Sequence, residues 1–150
     1  MPLLVDGDNL LGTSGRARTD AERRRLALQL DRSARHEGKR VVTVFDGPAP
    51  GVVRFGAEVR FAGSGRSADD LILEILRGET DRRGWTVVTS DRSLGDRCRW
   101  LGARVLRCHE FRSRLVAAGA AEKPERETEI DYWLERFGTE DPEDGPDRTA

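Results

Sequence analysis

The chain has little of the residues that staple a fold or hold a soft metal. Only two cysteines, Cys98 and Cys108, occur in 150 residues, and their spacing fits no zinc motif. Cysteine used so sparingly points to a reducing compartment. Histidine is as scarce: His36 and His109 are isolated in sequence, which favours surface or capping roles over that of a catalytic base. No apolar run approaches membrane-spanning length and no stretch reads as a signal peptide, so the expected location is the cytoplasm, with no membrane partner. Aromatic residues make up 6% of the chain, too few to supply many base-stacking platforms. No internal repeat is visible.

Charge, by contrast, is plentiful. The charged share of 35% nearly equals the hydrophobic share of 37%, which suits one soluble domain with a compact core. The formal net charge of -1 hides an asymmetry. Residues 120–150 hold eleven Asp/Glu against four Lys/Arg, while residues 1–119 hold 22 basic and 16 acidic residues. The expected division is therefore a domain over 1–119 and an acidic extension over 120–150. A basic body around a local acidic site suits a polyanionic substrate handled through a cation.

Strand and helix patterns alternate. Leu3-Leu4-Val5 is an apolar run that stops at Asp6-Gly7-Asp8-Asn9, read as a buried strand and a turn, followed by a loop over residues 11–18. Thr19 to Glu22 has capping-box spacing and starts a helix that Gly38 stops. Further strands are expected at residues 41–45, ending at Asp46-Gly47, at 57–62, at 85–89, running into Ser90-Asp91, and at 103–106. Ser67 opens a helix through Asp69 and Asp70 that Gly84 closes. Another helix runs from Ser93 to Leu101, and a last one reaches Ala118. This alternation predicts an α/β fold with a mainly parallel central sheet. Ile130, Trp133, Leu134 and Phe137 recur at helical spacing, so residues 126–137 read as an amphipathic helix, and the acidic residues after it as a disordered tail.

The acidic residues recur at strand ends and helix starts: Asp6 and Asp8, Asp46, Asp69 and Asp70, Asp91 and Asp96. In an open parallel sheet such positions share the crevice where ligands bind. Carboxylates crowded there repel one another unless a cation joins them, and hard oxygen donors select Mg2+ or Mn2+. A cation so held lowers the pKa of a bound water and balances the charge of a phosphodiester. Asn9, Thr89 and Ser90 are placed to orient a carboxylate or phosphate. Each acidic residue also has a purely structural reading: Asp69 and Asp70 as helix caps, Asp46 as a turn former, Asp96 as the partner of a nearby arginine.

The motifs Leu4-Val5-Asp6-Gly7-Asp8-Asn9-Leu10, Val44-Phe45-Asp46-Gly47, Ser67-Ala68-Asp69-Asp70-Leu71-Ile72 and Val87-Val88-Thr89-Ser90-Asp91-Arg92, in this order, resemble the NYN domains of the PIN-like nuclease superfamily, the bacterial YacP-like branch above all. The resemblance covers residues 3–112. It implies a three-layer PIN-like fold and a metal-dependent endoribonuclease, with Asp6, Asp69 or Asp70, and Asp91 as metal-site and catalytic carboxylates and Asn9 in support. It implies action on messenger RNA in connection with the ribosome. Asp8 and Asp70 depart from the residues more usual in that branch, which leaves open the ligand that binds directly. Arg16, Arg18, Arg66 and Arg92, in loops beside the expected pocket, are then the candidates for phosphate contacts, which hold a strand without reading its sequence.

Two other readings compete. Asp6-Gly7-Asp8-Asn9 also looks like the opening motif of haloacid-dehalogenase-like phosphatases, with Asp6 as nucleophile. The only lysines, Lys39 and Lys123, are badly placed for that chemistry. A non-catalytic RNA- or ribosome-binding module is the third reading, and the full set of carboxylates argues against it.

Overall fold

The structure, a computed structural model, describes residues 2–50 and 58–121. The amphipathic helix expected at 126–137 and the acidic tail lie outside the described residues. Two compact units divide the chain, Met1–Phe111 and Arg112–Ala150; the first contains every strand among the described residues, and the site described below lies wholly within it.

Five parallel strands form one sheet in the order β3-β2-β1-β4-β5. They are β1 (Leu3–Asp6), β2 (Val41–Phe45), β3 (Val59–Phe61), β4 (Thr86–Val88) and β5 (Arg104–Leu106). The chain builds outward from β1 in one direction through β2 and β3, then returns to its other side for β4 and β5. The direction of winding reverses between β1 and β4, so their carboxyl ends splay apart and leave a crevice. The predicted α/β class holds, and all four strand pairings are parallel.

Helices α1 (Gly7–Thr13), α2 (Asp20–Glu37), α3 (Ala68–Arg77), α4 (Arg92–Trp100) and α5 (Cys108–Ala121) connect or follow the strands. Helix α1 packs on α2 and β2, whereas α3 packs on α4, β1 and β2. Side chains alternate across a strand, so Leu4, Val42, Val44 and Val87 share one face. They meet Ile72, Leu73 and Leu76 of α3 and Leu94 and Cys98 of α4 in the main core. Asp6, two residues after Leu4, belongs to the same face.

Two expectations need correction. Residues 7–13 are a helix, not a turn and a loop. Gly7, Asp8 and Asn9 are weak helix formers, yet they occupy the first turn, where an acidic residue is favoured by the helix dipole. Leu10 and Leu11 are then buried. Gly7 has a second reason to be glycine: a Cβ there would lie 2.3 Å from the Phe45 ring. Helix α3 also stops at Arg77 rather than running to Gly84. The Arg82 guanidinium donates to the carbonyls of Leu76 and Arg77 at 3.0 Å each, meeting the Arg77 acceptor that the helix end leaves open and sharing that of Leu76 with the Glu79 N–H.

Candidate functional site

Register places the first polar pair. Val5 is paired with Val88, so Asp6 and Thr89 emerge side by side where β1 and β4 end. The Thr89 hydroxyl donates to Asp6 Oδ2 at 3.0 Å, and both side chains are buried. Asp6 is only 5% exposed. Burial pushes its carboxyl up to about 7, and the negative charges of Asp69 and Asp46 add to the shift. The Thr89 bond and the Asn9 backbone N–H favour the charged form, although the latter closes no full cap hydrogen bond.

Asn9 lies on α1, one turn beyond Asp6. Its side-chain oxygen receives the Ser90 N–H at 2.7 Å and the Cys108 thiol at 3.2 Å. A backbone N–H can only donate, so the atom it meets is Oδ1. The Asn9 amide nitrogen is left without a partner among the described residues. The Ser90 hydroxyl accepts the Cys108 N–H at 3.0 Å and so ties the start of α5 to the end of β4.

The other strand end is organised by a relay of hydrogen bonds. Arg23 of α2 grips the buried Asp8 carboxylate through two bonds, at 2.9 and 3.0 Å. Asp8 Oδ2 accepts the Asp46 N–H at 2.8 Å, and Asp46 Oδ1 accepts the Ala68 N–H at 2.7 Å. The relay thus runs from α2 through α1 and the end of β2 to the first turn of α3. Its outcome is the placement of Asp69.

Asp69 and Asp70 have different surroundings. Asp70 is exposed and shares a capping box with Ser67, each side chain bonded to the other's backbone N–H. Asp69 is half-buried; its carboxyl is raised first by burial and then by the charges of Asp91 and Asp46, with Arg97 opposing. Asp91 is the N-cap of α4, its Oδ1 accepting the Leu94 N–H at 3.1 Å. Asp6 therefore senses Asp69 and Asp46, and Asp69 in turn senses Asp46 and Asp91, across four segments of chain. The structure does not bring Asp96 into this group: it is exposed on α4 and paired with Arg99. Nor does Asp8 face it, being held by Arg23.

Three of the four singled-out arginines have local companions. Arg16 pairs with Glu22 at 2.9 Å, Arg66 pairs with Glu74, and Arg18 lies against Gly12. Arg92, exposed in the first turn of α4, makes no ion pair among the described residues. Arg97 escaped the sequence reading as a site residue. No sequence spacing singled out Arg97, because the carboxylate it acts on, Asp69, belongs to another helix.

The YacP-like NYN domain matches this chain over residues 3–136, past the point where the sequence motifs end. The chain belongs to the YacP-like NYN family. Two crystal structures of Rae1 (YacP) from Bacillus subtilis share its fold. One has a TM-score of 0.64 at 21% identity, covering 100% of this chain and 98% of that one. The other, a W164L mutant, has a TM-score of 0.62 at 21% identity, covering 92% and 83%. No curated protein gives a match. Membership supports a nuclease-type, RNA-related function and sets aside the phosphatase reading. Among the described residues no helix is long and apolar enough to cross a membrane.

Among the described residues, no group of three or more His, Cys, Asp or Glu side chains stands ready to enclose a metal ion. Asp6 and Asp69 still fit a hard cation. Both are oxygen donors, and Asp69 is among the charges that raise Asp6. Mg2+ commonly keeps several waters and takes only one or two carboxylates. A cation held by Asp6 and Asp69 would offset a repulsion that, among the described residues, Thr89 and Asn9 at Asp6 and Arg97 at Asp69 counter only in part.

Proposed function

We propose that this chain is a Mg2+- or Mn2+-dependent endoribonuclease that hydrolyses phosphodiester bonds in single-stranded RNA. The observation that carries the reading is Asp6: a buried carboxyl at the end of the central strand, raised to about 7 with Asp69 and Asp46 beside it. Such a group at a topological switch point is costly for folding and so marks function. Asp6 and Asp69, with Asp91 alongside, are the residues that would hold the cation. When bound, it activates a water and offsets charge on the phosphodiester.

The chain's own groups do the positioning. Thr89 fixes one Asp6 oxygen by donating to it. Asn9, its oxygen occupied by Ser90 and Cys108, turns two amide hydrogens toward a phosphate oxygen. Arg92 and Arg97 supply positive charge on the α4 side. Messenger RNA in a ribosomal setting, within the cytoplasm, is the substrate context we propose from the family resemblance.

The test is incubation of the purified chain with single-stranded RNA and, separately, a phosphate monoester, each with Mn2+ or Mg2+ and with chelator. Internal cleavage of RNA that needs the cation and is lost in Asp6→Asn supports the proposal. RNA left intact by the wild type, or cut equally by Asp6→Asn, refutes it. Binding without cleavage would favour the non-catalytic module instead.

A further inference from the structure

The acidic crevice lies at the carboxyl ends of the strands. A different surface lies at their amino ends. Helix α4 leaves the crevice at Arg92 and carries the chain nine residues to Trp100, about 13 Å away along its axis. Helix α3 ends nearby at Arg77, and a short 3-10 turn, Arg82–Gly84, precedes β4. Between them is an open cavity of about 660 Å³ lined by Arg77, Glu79, Asp81, Arg83, Trp100 and their neighbours.

This cavity has a fixed floor and available walls. Arg82 is spent on the carbonyls of Leu76 and Arg77, which holds the turn against α3. Gly102, at φ 101°, follows α4 and brings the chain close to the side chains of Arg82 and Arg83. Trp100 is 88% exposed, the large hydrophobic side chain most open to solvent among the described residues. Arg77 and Arg83 are exposed and make no ion pair among the described residues. Arginine outnumbers acid in the lining.

An exposed tryptophan beside arginines that make no ion pair is the pairing that holds single-stranded nucleic acid without reading sequence: a base stacks on the indole while guanidinium groups meet phosphates. A protein partner fits less well, because the cores of such interfaces are depleted in charge and this lining is mostly charged and polar. We infer that the groove between the carboxyl ends of α3 and α4 is a second contact for single-stranded RNA, in which Trp100 stacks on a base and Arg77 and Arg83 bind phosphates. It rests on the reading of the chain as an RNA-cleaving enzyme and extends it. RNA held there is anchored away from the carboxylates, so the enzyme favours chains long enough to span both.

The test is equilibrium binding of a labelled, unstructured 20-nucleotide RNA to the full chain, carried as Asp6→Asn so that nothing is cut. Trp100→Ala should weaken binding at least about 5-fold with the salt dependence unchanged, and Trp100→Phe should restore most of it. Arg77→Gln and Arg83→Gln should each lower the slope of log affinity against log salt by about 0.7. Trp100→Ala binding within 2-fold of the parent, or slopes unmoved by both arginine variants, overturns the groove. If the wild type still cuts RNA in that case, only the groove is lost. If the parent does not bind RNA and the wild type does not cut it, the nuclease reading falls with it. Trp100→Ala that binds RNA normally but loses a protein or ribosome contact also overturns it.

Discussion

Asp6→Asn should stabilise the cation-free protein while abolishing its activity. The Asp6 carboxyl is raised from an ordinary 3.8 to about 7 in the folded chain. Between those values the folded state keeps a proton that the unfolded state has lost. Stability from this group is therefore full below about pH 4, falls as pH rises through the window, and levels off above about pH 7. At 1.36 kcal/mol per pH unit, the span corresponds to about 4 kcal/mol at most. Asparagine has nearly the same shape, keeps an oxygen for the Thr89 hydroxyl and carries no charge at any pH. The variant should match the wild type near pH 4 and exceed it increasingly towards pH 8. For a chain of this length the gap at pH 8 amounts to about 5–15 °C in Tm. The assay is thermal or urea unfolding of both proteins from pH 4 to 8 in chelator, then with Mg2+ or Mn2+ at pH 8. The cation should close the gap by stabilising the wild type alone, since ligands that bind only the folded state add stability by mass action. A gap that does not grow with pH refutes the electrostatic account of Asp6. A gap that grows yet ignores both cations keeps that account and removes the metal.

Neighbouring residues separate roles that sequence alone leaves merged. Asp69→Asn should abolish RNA cleavage and draw the Asp6 transition to lower pH, whereas Asp70→Asn should keep most activity, and Ser67→Ala, which removes the cap that accepts the Asp70 N–H, should lose about 1 kcal/mol in urea unfolding. Arg23→Ala would strand the Asp8 charge in the interior and should destabilise the fold by about 3–5 kcal/mol, with a double variant Arg23→Ala/Asp8→Asn recovering part of the loss. Gly7→Ala forces the Phe45 ring to move and should destabilise by about 1–3 kcal/mol, read as a lower urea midpoint at unchanged slope.

The fold was legible because its elements are locally consistent. Val41 to Phe45 is β-branched almost throughout, Thr19 and Ser67 are caps that do cap, and Gly38 takes the left-handed conformation expected of a helix stop. The misreadings fall where local chemistry is ambiguous. Asp-Gly-Asp-Asn suits a turn as well as a first helical turn, and only the burial of Leu10 and Leu11 against α2 and β2 decides for the helix. The stop of α3 at Arg77 depends on Arg82 folding back on the helix end, a contact between residues that no periodicity links.

The candidate site was legible in its residue types but not in their division of labour. Asp6, Asp8, Asp46, Asp69, Asp70 and Asp91 are alike as letters. What separates them is the hydrogen-bonding already spent on each. Asp8 is taken by Arg23 and the Asp46 N–H, Asp70 by the Ser67 N–H, and one oxygen of Asp91 by the Leu94 N–H. Asp6 receives a single side-chain donor, and Asp69 none among the described residues. A carboxylate's fitness to hold a cation is what remains after the fold has drawn on it. The engaged residues are still part of the device, because the bonds that take Asp8 and Asp46 out of contention are the ones that set Asp69 opposite Asp6.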